Sequence, residues 1–353
     1  MYIRVISFAS VVLVLTGSAF GLSIQGVVGS VSQSQYQTYQ QAIEDSGLGL
    51  YDSQYDQGYR NRDGWAGDGS LGNQEARAYL TDQFTNMGLN VTIQGQYKNV
   101  VAELTGTTNP GQIYIIGGHY DTYLDGERPG GDDNASGTAG VLEAARVLSQ
   151  YSFDSTIRFI GFNAEEDVML GSGDYVDNVA VANSQNIAGM IDLDMILRPE
   201  FDNNLDELAD LDVGTADTEL FMNWANTFVS TAQLYVPSLV IDSGQPYIDA
   251  SLASDHRPFI NAGYPAFLLI ENKANEIWGG SNAYYHTAED ASDALANDPF
   301  NPTGITYDYG FAADVVRATV ATIALEAGVI PEPATLLIVG FGAVILRAKR
   351  QMH

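Results

Sequence analysis

Apolar runs in this chain keep ending in acid or imidazole, and that repetition decides the fold. Ile113–Ile116 breaks at Gly117-Gly118 and passes straight into His119-Tyr120-Asp121. Thr156–Phe162 passes into Asn163-Ala164-Glu165-Glu166, and Ile187–Met195 carries Asp192 and Asp194 near its end. Ala266–Ile270 stops at Glu271-Asn272. A Gly- and Pro-containing loop after His119 leads to Gly130-Gly131-Asp132-Asp133-Asn134-Ala135-Ser136-Gly137. An amphipathic segment follows, with Val141, Leu142, Ala145 and Leu148 at helical spacing. Strands alternating with helices predict an α/β three-layer sandwich, a mostly parallel sheet with helices on both faces. Each acidic loop alone would pass for an ordinary polar turn. Parallel strands, however, set their carboxyl ends side by side, which is where open α/β sheets bind ligands.

Grouped carboxylates repel and push one another toward protonation, and a bound cation removes that penalty. The chain has no cysteine and four histidines, His119, His256, His286 and His353, so any metal is held by imidazole and carboxylate. Three or more carboxylates with two histidines carry too much negative charge for one acid/base pair. They fit two divalent ions bridged by one carboxylate. The donor set favours zinc, with manganese or cobalt possible. A formal charge of −29, from 15 Lys plus Arg against 44 Asp plus Glu, repels nucleic acid and anionic lipid. It suits an exported protein.

Residues 1–21 read as a secretory signal: Arg4, an apolar Val5–Phe20, and the small-x-small Ala19-Phe20-Gly21. An N-terminal segment of the mature protein, 22–70, is rich in Gln, Tyr, Asp and Gly. It reads as one helix followed by irregular surface structure from Gln33 to Gly69. The main domain spans 71–327. Asn73 is predicted to cap its first helix, whose stripe is Ala76, Tyr79, Leu80, Phe84 and Met87, and Gly88 ends it. Further strands are expected at Val91–Ile93 and Val100–Leu104, and helices at 138–150, from Glu219 to about Thr231, and at Val315–Leu325. Phe201–Thr218, acidic and poor in aromatics, reads as an exposed insertion. In the last segment, 328–353, Pro331-Glu332-Pro333 precedes an apolar Ala334–Leu346, short against the ~20 residues of a spanning helix, and then Arg347, Lys349 and Arg350. That order resembles the PEP-CTERM sorting signal of bacterial envelope proteins. The resemblance implies transient membrane association and removal by an exosortase-type enzyme, after a signal peptidase has acted at the other end.

Gly118-His119-Tyr120-Asp121, Asp133-Asn134-Ala135-Ser136-Gly137, Glu165-Glu166, Leu193-Asp194-Met195 and Tyr285-His286-Thr287 occur in the order found in the M28 metallopeptidases. Ser254-Asp255-His256 and Asn261–Ala266 are also similar to that family. The likeness covers roughly 71–325. It implies a zinc-dependent exopeptidase fold, two zinc ions, and peptide or protein substrates with a free N-terminus. By the same resemblance His119 and Asp194 bind one metal, Glu166 and His286 the other, and Asp133 bridges both. Glu165 is the general base, and Asp121 hydrogen-bonds the far nitrogen of His119. The peptide bond after Asp133 is expected to be cis. Asp192 is left unassigned, His256 reads as structural or substrate-facing rather than as a ligand, and His353 has no role. Two alternatives remain open: a single-zinc enzyme like the glutaminyl cyclases, and an envelope binding protein with a dead site.

Overall fold

The computed structural model describes residues 23–48, 60–64, 68–123, 126–199, 210–249, 253–271, 284–292 and 307–330. The expected signal segment 1–21 and the Pro-Glu-Pro tail lie outside them. The helices are α1 (Ile24–Val28), α2 (Gln33–Glu44), α3 (Leu71–Asn86), α4 (Ala135–Leu148), α5 (Leu170–Tyr175), α6 (Glu219–Tyr235), α7 (His256–Asn261) and α8 (Tyr309–Glu326). The strands are β1 (Asn90–Gln94), β2 (Asn99–Leu104), β3 (Asn109–His119), β4 (Ser152–Phe153), β5 (Ser155–Phe162), β6 (Asn186–Leu193), β7 (Asp210–Thr215), β8 (Val240–Ile241), β9 (Tyr247–Ile248), β10 (Ala266–Ile270) and β11 (Val329–Ile330).

The main sheet runs β1-β2-β5-β3-β6-β10-β7-β8, with β9 beside β7, and β4 pairs with β11 separately. Its centre, β5-β3-β6-β10, is parallel, and the antiparallel pairings lie outside it. Alternation along β3 assigns the two faces. Ile113 and Ile115 join Ile160, Phe162 and Met190 in a cluster closed by Tyr175, Val176 and Phe259, from α5, the π-turn after it, and α7. Tyr114 points the other way and meets Trp224 of α6, ring centroids 5.8 Å apart. Helix α4 packs on β3, β5 and β6, with α2 and α8 packed on it in turn. That double cover explains why every α4 residue except Arg146 is buried. Each large apolar side chain so enclosed contributes roughly 1.5–3 kcal/mol.

Three sequence expectations need correction. The cap of α3 is Ser70, whose Oγ accepts the Asn73 amide at 3.1 Å, while Asn73 lies inside the helix and uses its own amide elsewhere. Gly88, at φ +80°, does end the helix. Within the stretch expected to be an exposed insertion, residues 210–215 form β7 against β10, with Leu211 and Val213 buried. The interleaved acids hid a period-two strand. Finally, the helix expected from Gln33 is α2, but the stretch after it is not all surface: Arg60–Asp63 are buried. Residues 24–330 form one compact unit.

Candidate metal centre

The strand-end pattern delivers its polar residues to one place. His119 is the last residue of β3, Glu165 and Glu166 follow β5, and Asp194 follows β6. Asp133 lies just before α4, whose start is fixed by Asn134: its Oδ1 accepts the Gly137 amide at 2.8 Å. That helix start presses on the end of β6, since a Cβ on Gly137 would meet the Leu193 carbonyl oxygen at 1.9 Å. Only glycine allows Asp133 and Asp194 this approach. The Asp133–Asn134 peptide bond is cis.

Two groups of potential ligand atoms result, His119/Asp133/Asp194 and Asp133/Glu166/His286, and within each the atoms lie within 4.8 Å of one another. Asp133 belongs to both. One of its oxygens, Oδ1, lies 3.4 Å from His119 Nε2, which is also 3.4 Å from Asp194 Oδ1. The other, Oδ2, lies 3.1 Å from His286 Nε2, itself 3.1 Å from Glu166 Oε2. His119 Nε2, His286 Nε2, Asp133 Oδ2, Asp194 Oδ1 and Glu166 Oε1 are all buried without a hydrogen-bond partner. Buried polar atoms are rarely left so. Unpaired atoms on all five residues of the two ligand groups fit a pair of metal ions, and the nitrogen–oxygen donor set suits zinc. Glu165 belongs to neither group.

The electrostatics agree. Burial raises the Glu166 carboxyl to about 7, and Asp133 adds to the rise. Glu165 is pushed well above the carboxylate range, first by burial and then by Glu166, Asp255 and Asp194 against the pull of His119. Asp194 is raised by burial too. Burial would lower His286, but Asp133 and Glu166 carry it up to about 10. Protons take up negative charge here that a dication would neutralise directly.

Asp121 does more than its neighbour His119 suggested. Its Oδ1 is 3.5 Å from His119 Nδ1, a long contact, and the Asp121 carbonyl oxygen is nearer at 3.2 Å. The fully buried carboxylate accepts the amides of Glu165 at 3.2 Å and Glu166 at 3.3 Å. It therefore fixes the loop of base and ligand together. Three residues at the site take the left-handed conformation without being glycine: Ala164 before Glu165 (φ +56°), Met195 after Asp194 (φ +53°) and His286 itself (φ +58°). Such positions cost of order 1–3 kcal/mol each and persist where surrounding structure imposes them.

Sequence reasoning missed several neighbours. Asp290 receives the amides of Asp132 and Asp133 and the hydroxyl of Tyr307, all at 2.8–3.2 Å. Its place four residues past His286 in the sequence was the available signal. Tyr123 and Tyr285 stack on the His286 ring at 4.2 and 3.7 Å. Asp132 is not in either ligand group; it accepts the Leu197 amide. His256 is fully buried away from both groups, with Nδ1 3.4 Å from Asp192 and Nε2 3.3 Å from Asp249. Asp192 also accepts the His256 amide at 2.8 Å. His353 lies outside the described residues.

The sequence profile of Peptidase family M28 matches residues 99–305. Aminopeptidase YwaD of Bacillus subtilis is 31% identical over 201 residues, covering 56% of this chain and 39% of that protein. A probable zinc metalloprotease of Pyrenophora tritici-repentis is 29% identical over 198 residues, covering 49% of this chain and 45% of its own. The chain thus spans less than half the length of these two relatives. Among solved structures, Porphyromonas gingivalis glutaminyl cyclase shares the fold with a TM-score of 0.60 at 18% identity, over 84% of this chain and 99% of its own.

Proposed function

The chain belongs to peptidase family M28, and from that premise we propose that it is a di-zinc aminopeptidase, removing residues from the free amino end of peptides. The observation that carries the reading is Asp133, one carboxylate shared by two three-residue ligand groups. His119, Asp194 and Asp133 would hold one ion, and Asp133, Glu166 and His286 the other. Bound zinc lowers the pKa of a water and polarises a carbonyl oxygen. Glu165 lies next to the ligand Glu166 and outside both ligand groups, so its carboxylate is free to take the proton of the attacking water and return it to the leaving amine nitrogen. Asp121 holds that carboxylate's backbone in place.

A single-zinc cyclase is the rival the fold allows. The complete His119/Asp194 pair speaks for the two-ion reading, because one ion would leave that pair buried and idle. Leucine p-nitroanilide and its N-acetyl form separate the readings. Turnover of the free amine alone is expected; equal rates on the blocked substrate, or pyroglutamate formation from N-terminal glutamine without anilide release, overturn it.

Export completes the proposal. The apolar run behind Arg4 and the Pro331-Glu332-Pro333, apolar, basic order support a protein cut by signal peptidase, held briefly at the membrane, and released to the cell envelope or beyond by an exosortase-type enzyme. Among the described residues no helix is long and apolar enough to cross a membrane. Intact mass of envelope material is the check: a chain beginning near Leu22 and ending near Pro333 is expected, and one retaining the tail through His353 contradicts it.

A further inference from the structure

The side chain that ties the ligand loops together comes from outside residues 99–305, the stretch matched to the family. Arg62 is among the largest fully buried side chains of the structure. Its guanidinium spends every nitrogen on main-chain carbonyls. Nε donates to Tyr120 at 2.7 Å, Nη2 to Gly130 at 3.0 Å, and Nη1 to Ile43 at 3.1 Å and also to Pro129. Its own amide donates to Thr122 Oγ1 at 2.9 Å. Tyr120 stands between His119 and Asp121. Pro129 and Gly130 begin the turn that presents Asp133. One planar fork thus spans the loop carrying the His119 ligand and the loop carrying the bridging ligand, and anchors both to the end of α2.

The corner has no slack. Gly130 sits at φ +52°, and a Cβ there would meet the Asp133 carbonyl oxygen at 2.2 Å and Arg62 Nη2 at 2.8 Å. Other N-terminal side chains brace the turn before Asp133, the first turn of α4 and the segment that carries His286. Gln40 donates to the Gly131 carbonyl at 2.9 Å, Tyr36 donates to the Ser136 carbonyl at 3.0 Å, and Glu44 accepts both the amide and the hydroxyl of Ser292. Burial lowers the Arg62 guanidinium to about 10, against the pull of Asp290, Glu44, Asp121 and Asp133, so it is still a cation at neutral pH beneath the acid-rich centre.

We propose that Arg62 is a positioning residue for the metal centre: its forked donors set the spacing between the His119 and Asp133 loops, and so the affinity for zinc. The inference rests on the two-ion reading above. It makes residues 60–64, which precede the family match, part of the working site. A lysine preserves the charge but cannot reproduce a planar fork aimed at four carbonyls, so Arg62→Lys separates geometry from charge. A methionine removes both.

The test uses the full chain with zinc affinity read by competition against a chromophoric chelator, folding by circular dichroism, and kcat and KM at saturating zinc. For folded Arg62→Lys we expect zinc affinity lowered about 10- to 100-fold, the scale for groups that orient ligands without touching the metal. At saturating zinc, kcat should fall and KM stay within about threefold, with Arg62→Met worse on both. If Arg62→Met does not fold, the lysine variant decides. A lysine variant that melts earlier yet binds zinc and turns over like wild type assigns Arg62 to stability alone and overturns the proposal. Wild-type protein that takes up no zinc overturns the metal reading itself, which the same titration reports separately.

Discussion

Asp121→Asn changes one buried oxygen to an amide group without changing shape, and the structure says what that should do. The carboxylate accepts two amides, those of Glu165 and Glu166, and borders His119 Nδ1. Asparagine keeps a single acceptor, and its NH2 would face one of those N–H groups. Exchanging two charge-assisted bonds of about 1.5–3 kcal/mol each for one neutral bond of about 0.5–1.5 costs about 1.5–5.5 kcal/mol, and the long contacts of 3.2 and 3.3 Å put it in the lower part of that range, about 2–3 kcal/mol. That corresponds to roughly 30- to 150-fold. Because the group supports His119 of one cluster and Glu166 of the other, zinc affinity at both should weaken. Both ions should still bind at saturating zinc, with kcat reduced by about that factor. Chelator competition and turnover at matched free zinc provide the assay. Complete loss of an ion at saturating zinc would make Asp121 a direct ligand. An unchanged enzyme would show that the long contacts to the two amides carry no energy.

Glu165→Gln should keep both metals, since Glu165 is outside both ligand groups, and lose roughly 10²–10⁴-fold in kcat; metal loss or near-normal turnover refutes the base assignment. Asp194→Asn should empty the His119 cluster while leaving Asp133, Glu166 and His286 loaded, which metal analysis of the dialysed variant reads directly; two retained ions would move the ligand elsewhere. His256 predicts a pH dependence. Burial alone would lower this imidazole, but Asp192 and Asp249 raise it from 6.5 to about 9. Its contribution to stability, about 3 kcal/mol, is therefore complete below pH 6.5 and lost as pH climbs through 9. Denaturant unfolding of chelated protein should show a fall across that window that His256→Gln lacks; parallel curves for the two proteins refute it.

The parallel centre was legible because its strands are continuous apolar runs, and His119, Glu166 and Asp194 because they stand where such runs end, whereas Asp133 and His286 came from the family resemblance. Asp133 was chosen over Asp132, and Asp194 over Asp192, by the family's spacing, and the structure assembles the chosen member of each pair. What stayed hidden was of another kind. Strand β7 alternates Leu211 and Val213 with acids, and composition masked the period. Ser70 competed with Asn73 three residues on, and both are good capping residues, so only the chain path decides. Arg62 could not be found at all: its partners are main-chain carbonyls from three separate segments, and an arginine two residues after Arg60 in a Gly- and Asp-rich stretch looks like surface. Asp121 was placed beside its sequence neighbour, while its stronger partners lie over forty residues away on the next loop.

The central claim is that Asp133 bridges two ions, and zinc content per folded chain tests it most directly. Purified protein should be stripped, reloaded with zinc and dialysed against metal-free buffer, then measured by inductively coupled plasma mass spectrometry against amino-acid analysis. Two zinc ions per chain is the predicted result, falling to one or none in Asp133→Ala. A wild-type value of one, unchanged on adding zinc, would contradict the shared-carboxylate reading and return the chain to single-zinc chemistry.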